Sequence, residues 1–159
     1  ASPVKIRTIL WIKFFIYLFP LLILSEILIV ATHIILTVET FMMILSFLTV
    51  FLMVPGIVSI GIGFGAAYPD FKSENPAQSV TSFGGLMFMM LCAGYIMAVI
   101  ILEAGPVYSI FMAAVHERAM TILEWIWTVV SFSMVVVISI LAVFLPIRFG
   151  EKGLSKVLP

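Results

Sequence analysis

The chain is short of charge. Only 10% of its 159 residues are Asp, Glu, Lys or Arg, against about a quarter in a soluble domain. Eight acids offset eight bases, so no basic face is available for nucleic acid and there is no acidic tail. The single cysteine, Cys92, excludes a disulfide within the chain and reads as a small buried or lipid-facing hydrophobe. Also missing is the sequence G-x-x-x-x-G-K-[ST], whose backbone cradles nucleotide phosphates. No HxxH, HExxH or Cys/His spacing occurs, and no nucleophile stands beside a base. Metal, cofactor and catalytic roles are therefore not expected within the chain.

What the chain does have is hydrocarbon: 64% of the residues are hydrophobic and the mean hydropathy is +1.30. A chain this short has too much surface to hide that excess, so its expected solvent is lipid. The apolar stretches are continuous rather than alternating, which excludes a β-barrel. The opening "ASPVKIRTIL" places Lys5 and Arg7 before an apolar run, as a signal peptide would. That run is too long for a signal core, and no small-residue cleavage site follows it. It reads as a retained span, and the missing initiator Met points to processing or to a longer polypeptide.

Four spans are expected, at about residues 9–36, 41–68, 83–102 and 122–146, since roughly 20 apolar residues cross the hydrocarbon core. The fold class is an all-α integral membrane bundle in a single domain. Pro20 and Pro55-Gly56 are the expected kinks. The loop at 69–82 is polar. The segment 103–121 is too apolar for an open loop, so Gly105-Pro106 is expected to break the third span. A short interfacial or re-entrant helix then follows, with Val107, Ile110, Phe111 and Val115 at helical spacing.

Lys5, Arg7, Lys13, Lys72, Arg148, Lys152 and Lys156 fall on one side of this topology and Arg118 alone on the other. Seven bases against one places both termini and the 69–82 loop in the cytoplasm. Trp11, Trp125 and Trp127 stand where interfacial aromatics belong.

The longest polar interruption reads "GFGAAYPDFKSENPAQSVTSFGG", residues 63–85. Gly61 and Gly65 make a GxxxG pair suited to close helix contact. A nucleotide-binding glycine loop would need a strand before it, and none is in reach. Pro69 stops the helix, and Asp70, Lys72, Glu74 and Asn75 seek water. Gly84 and Gly85 open the next span and permit close approach or a hinge. The plain alternative is a solvated turn.

The run "GIGFGAAYPDFKSENPAQSVTSFGGLMFMM" resembles membrane permeases of the ABC-2 exporter type, in particular the putative bacterial ABC exporter family. The basic ending "LPIRFGEKGLSKVLP" and the Lys-bearing first helix "ILWIKFFIYLFPLLILSEILI" are similar too. The resemblance implies the last four of six spans, with the coupling helix absent from this stretch. It also implies ATP on a partner subunit and a bacterial inner membrane.

Ionisable groups inside a span default to functional candidates. Glu26 lies midway along the first span and His33 seven residues on, on the same face. The alternative is a protonated Glu26 bonded to a neighbouring helix. Glu103, His116, Glu117 and Arg118 gather toward the outer side as a candidate gate, and Glu124 is placed to cap the last span and pair with Arg118. A haem between His33 and His116 and a Met-based copper path are both conceivable. Span-end histidines and methionines in a bundle usually serve packing instead.

The leading expectation is a transport subunit forming part of a translocation path, powered by a separate ATP-binding subunit. The alternative is a structural accessory subunit of a respiratory or photosynthetic complex, without transport of its own. A third reading is an independent proton-coupled carrier using Glu26. Lipid and other membrane subunits are the expected partners.

Overall fold

The computed structural model describes residues 6–37, 40–68 and 82–155. Four helices account for nearly all of them: α1 (Ile6–Leu36), α2 (Thr40–Ala67), α3 (Phe83–Val115) and α4 (Ile122–Leu154). Each is long and apolar enough to cross a membrane. At 1.5 Å per residue each is roughly 40–50 Å long, beyond the hydrocarbon core of about 30 Å. The protein is an all-α membrane bundle.

Every helix contains one proline, Pro20, Pro55, Pro106 or Pro146, and none ends its helix. Proline removes one backbone hydrogen bond, a loss that neighbouring helices and side chains can absorb in a membrane bundle. The separate helix expected after Gly105-Pro106 is therefore corrected. Residues 107–115 are helical, but as the last turns of an unbroken α3. Two contacts explain the continuity. Pro106 is fully buried. Gly105 lies against α4, where a Cβ would come within 2.9 Å of the Trp127 indole nitrogen. α4 likewise runs past Pro146, because Gly150 and Gly153 beyond it pack against α2.

α2 and α4 form the centre. α1 packs on this pair from one side and α3 from the other, and α1 and α3 do not pack on each other. Two cores result. Leu10 and Phe14 of α1 meet Val58 and Ile147. Cys92, Tyr95 and Val99 of α3 meet Ile60 and Val135. Apolar burial gains little when the solvent is itself hydrocarbon, so close backbone approach and interhelical hydrogen bonds must hold the bundle.

The tightest approach is between α2 and α4. A Cβ on Gly63 would collide with the Pro146 backbone carbonyl, and one on Gly150 would come within 2.7 Å of the Gly63 carbonyl oxygen. One turn on, a Cβ on Gly153 would lie 2.7 Å from Ala67 Cα. This seam lies at the end of the bundle that carries the first residues of α1 and the last of α4, here termed the near end. The far end carries the α1–α2 and α3–α4 connections.

Candidate functional site

Among the described residues three side-chain contacts cross between helices, one for each pair among α2, α3 and α4. The Ser59 hydroxyl of α2, fully buried, donates to the Val143 carbonyl of α4. The Tyr95 hydroxyl of α3 donates to Ser139 Oγ of α4 at 2.9 Å. Gly56 of α2 makes room for that ring: a Cβ there would stand 2.8 Å from Tyr95 Cε1. Toward the far end, Thr49 Oγ1 of α2 lies 2.9 Å from both carboxyl oxygens of Glu103 on α3. Sequence reasoning missed Thr49, Ser59, Tyr95 and Ser139 as a set, since hydroxyls in apolar runs carry no pairing signal until the helices are placed.

α1 behaves differently. Ser25, Thr32 and His33 each bond a carbonyl of their own helix, at 2.9, 2.7 and 2.9 Å. Its buried residues, Leu10 and Phe14, lie before Pro20, and nothing after Pro20 is buried. Glu26 is in that uncovered stretch, and both its oxygens lack a hydrogen-bond partner among the described residues. His33 shares the helix but makes no bond to Glu26, its Nδ1 being held on the Ile29 carbonyl.

A groove of about 620 Å³ runs between the near halves of α1 and α2, with Lys13, Tyr17, Gly61, Gly65 and Phe88 on its walls. Gly65 looks into open space, with nothing within 4 Å of a Cβ built there, and Gly61 would meet only the Phe88 ring, at 3.2 Å. Within this chain the close-packing face of α2 is that of Gly63 and not of the Gly61/Gly65 pair. Gly84 approaches the end of α2, where a Cβ would lie 3.1 Å from Tyr68 Cβ. The Gly85 N–H donates to Ser82 Oγ at 3.2 Å and so caps the start of α3.

The expected outer gate divides. Glu103 lies with Thr49, 13 positions and so roughly 20 Å of helix from His116. His116, Glu117 and Arg118 form the turn that closes α3. The Arg118 N–H bonds the Ala113 carbonyl at 3.1 Å and the Glu117 N–H that of Ala114 at 3.2 Å. These are the paired bonds of a Schellman motif, with Glu117 at φ 49° where glycine is usual. Arg118 then grips Glu124 at the start of α4 through two bonds of 2.9 and 2.7 Å. The same carboxylate accepts from the Thr121 N–H at 2.8 Å, a reciprocal helix start of the kind expected for Glu124. Bonding to Glu124 raises the already high pKa of the Arg118 guanidinium. His116 Nδ1 rests on the Met112 carbonyl. Asp70, Lys72, Glu74 and Asn75 lie outside the described residues. Among those described, no three His, Cys, Asp or Glu side chains come together as metal ligands.

The model of a protein family described as "Putative ATP-binding cassette" matches residues 1–157. No curated protein and no solved structure matches the chain. The description is worded for the ATP-binding part of such a system, whereas the matched residues hold four apolar helices and no Walker A sequence.

Proposed function

This chain belongs to the family described as "Putative ATP-binding cassette", and we propose that it is a membrane subunit of an exporter of the ABC-2 type. In this reading it forms part of a translocation path and draws its work from ATP hydrolysed on a partner. The observation that carries the reading is the conjunction of an ABC-related family match along almost the whole chain with four spans and no phosphate-binding loop.

The geometry suggests where the path would lie. α2, α3 and α4 are tied to one another, so they would move as one body. α1 is held at its near half, where Leu10 and Phe14 pack on Val58 and Ile147, and the open groove with Gly61 and Gly65 runs beside that contact. Lys13 and Tyr17 are the polar groups on that groove. Beyond it, Glu26 needs a donor that the described residues do not supply, and a helix of another subunit would supply it. Both termini and the 69–82 loop would face the cytoplasm, the side on which ATP is hydrolysed.

One observation favours the second reading, a structural accessory subunit. The unbroken α3 removes the short interfacial or re-entrant helix expected before the last span. Isolating the chain from native membranes in mild detergent separates the two. Co-isolation of an ATP-hydrolysing polypeptide is the expected result. Co-isolation of haem or pigment proteins without ATP hydrolysis would replace the exporter reading with the accessory one.

A further inference from the structure

We infer that Glu103 is a proton-binding site, at which a neutral carboxyl donates its hydrogen to Thr49 and so latches α3 to α2. Thr49 Oγ1 lies 2.9 Å from each Glu103 oxygen and 3.0 Å from the Leu45 carbonyl. It has one hydroxyl hydrogen for these three acceptors.

Suppose first that Glu103 is ionised. That single hydrogen is then its only donor among the described residues, whereas a carboxylate offers about four acceptor sites. Holding its charge in an apolar setting takes a nearby cation or two to three donors. No cation among the described residues is in reach. α2, from Thr40 to Ala67, contains no ionisable side chain. On α4 the ionisable groups are Glu124, Arg148, Glu151 and Lys152. Glu124 is already engaged by Arg118, and the other three sit in the last turns, at the near end. On α3 itself the others are Cys92, Tyr95 and Tyr108, and Tyr95 is bonded to Ser139.

Suppose instead that the carboxyl is neutral. Its O–H donates to Thr49 Oγ1, and the Thr49 O–H donates to the Leu45 carbonyl. Every hydrogen has an acceptor and no charge is buried. The depth agrees: Glu103 is roughly 18 Å from the end of α3 and Thr49 roughly 13 Å from the start of α2, counted at 1.5 Å per residue. Both are inside the apolar layer if each helix is centred on it. Losing the proton to water would leave a carboxylate with one donor, so the Thr49 contact would have to part or admit water. The site therefore couples proton occupancy to the α2–α3 contact, whatever the chain transports.

Infrared spectroscopy of the whole chain in lipid nanodiscs at neutral pH tests this. Glu26→Gln serves as the background, so that the other intramembrane carboxyl does not contribute. The expected spectrum contains the C=O stretch of a protonated carboxyl, lost in Glu103→Gln and moved to higher frequency in Thr49→Val, where the carboxyl no longer donates. Glutamine has the same shape and keeps a donor for Thr49, and Thr49→Val supplies an independent readout. A background spectrum without this band, or one unchanged by Glu103→Gln, would overturn the assignment. A band lost in Glu103→Gln but unmoved in Thr49→Val would overturn the latch.

Discussion

α1 and the α2–α3–α4 unit solve the same problem in opposite ways. Both hold hydroxyls and one intramembrane carboxyl. In the three-helix unit three of the polar contacts reach across, Ser59 to Val143, Tyr95 to Ser139 and Thr49 to Glu103, beside Ser109, Thr128 and Ser133, which bond their own helices. In α1 the polar groups turn back onto their own backbone, and Glu26 is left without a partner among the described residues. The far half of α1 has no buried residue, and Ile27 and Ile34 are 59% and 68% exposed. A polar group in hydrocarbon needs a partner. Where this chain supplies one, the helices hold one another; where it does not, at Glu26, the reading proposed above places another component.

The contrast can be broken hardest at the α2–α4 seam. Gly63→Leu places a side chain into the Pro146 backbone, where no flexible group can yield. Overpacking of this kind costs about 3 kcal/mol or more, and thermal unfolding in detergent should show the midpoint collapse or the fold lost. Unchanged unfolding would mean that the seam is not where the helices meet. Next in size is Tyr95→Phe, which removes one interhelical bond and should cost about 0.6 kcal/mol, the usual worth of such a bond in a membrane bundle. A cost above about 2 kcal/mol would show that Tyr95 and Ser139 act within a larger network.

Glu26→Gln should leave the unfolding of the isolated chain within about 0.5 kcal/mol of the parent, since glutamine keeps the shape of a side chain that makes no hydrogen bond among the described residues. The native assembly, recovered from membranes by affinity purification, should instead lose the component that covers α1. The smallest effect on stability belongs to Gly65→Leu. Its side chain enters the open groove, so the unfolding midpoint should not fall, while traffic through the groove should stop. A destabilised Gly65→Leu would return Gly65 to the packing role expected from its sequence spacing.

That pair of glycines shows what the sequence could and could not carry. Four apolar runs are legible because lipid demands length and continuity, and all four helices are found. The pairing of Arg118 with Glu124 is legible too, because opposite charges six residues apart across a helix start have few other places to go. The packing face of α2 is not. Gly61 and Gly65 are small at i, i+4, but Gly63, Ala66 and Ala67 are small at i, i+3, i+4 on another face. Periodicity names both faces, and only the position of Gly150 and Gly153 on α4 selects the second. Gly105-Pro106 misled for a similar reason. Proline signals a break when water can take up the freed carbonyl, whereas here the turn is buried and Trp127 closes on Gly105.

The claim on which the contrast between α1 and the other three helices rests is that the far half of α1 is covered by another component rather than by lipid. A photo-crosslinking residue at Ile27, compared with one at Ile140 on α4, tests this directly in native membranes. The account predicts a polypeptide adduct at Ile27 and lipid adducts alone at Ile140. Lipid adducts alone at both positions would contradict it.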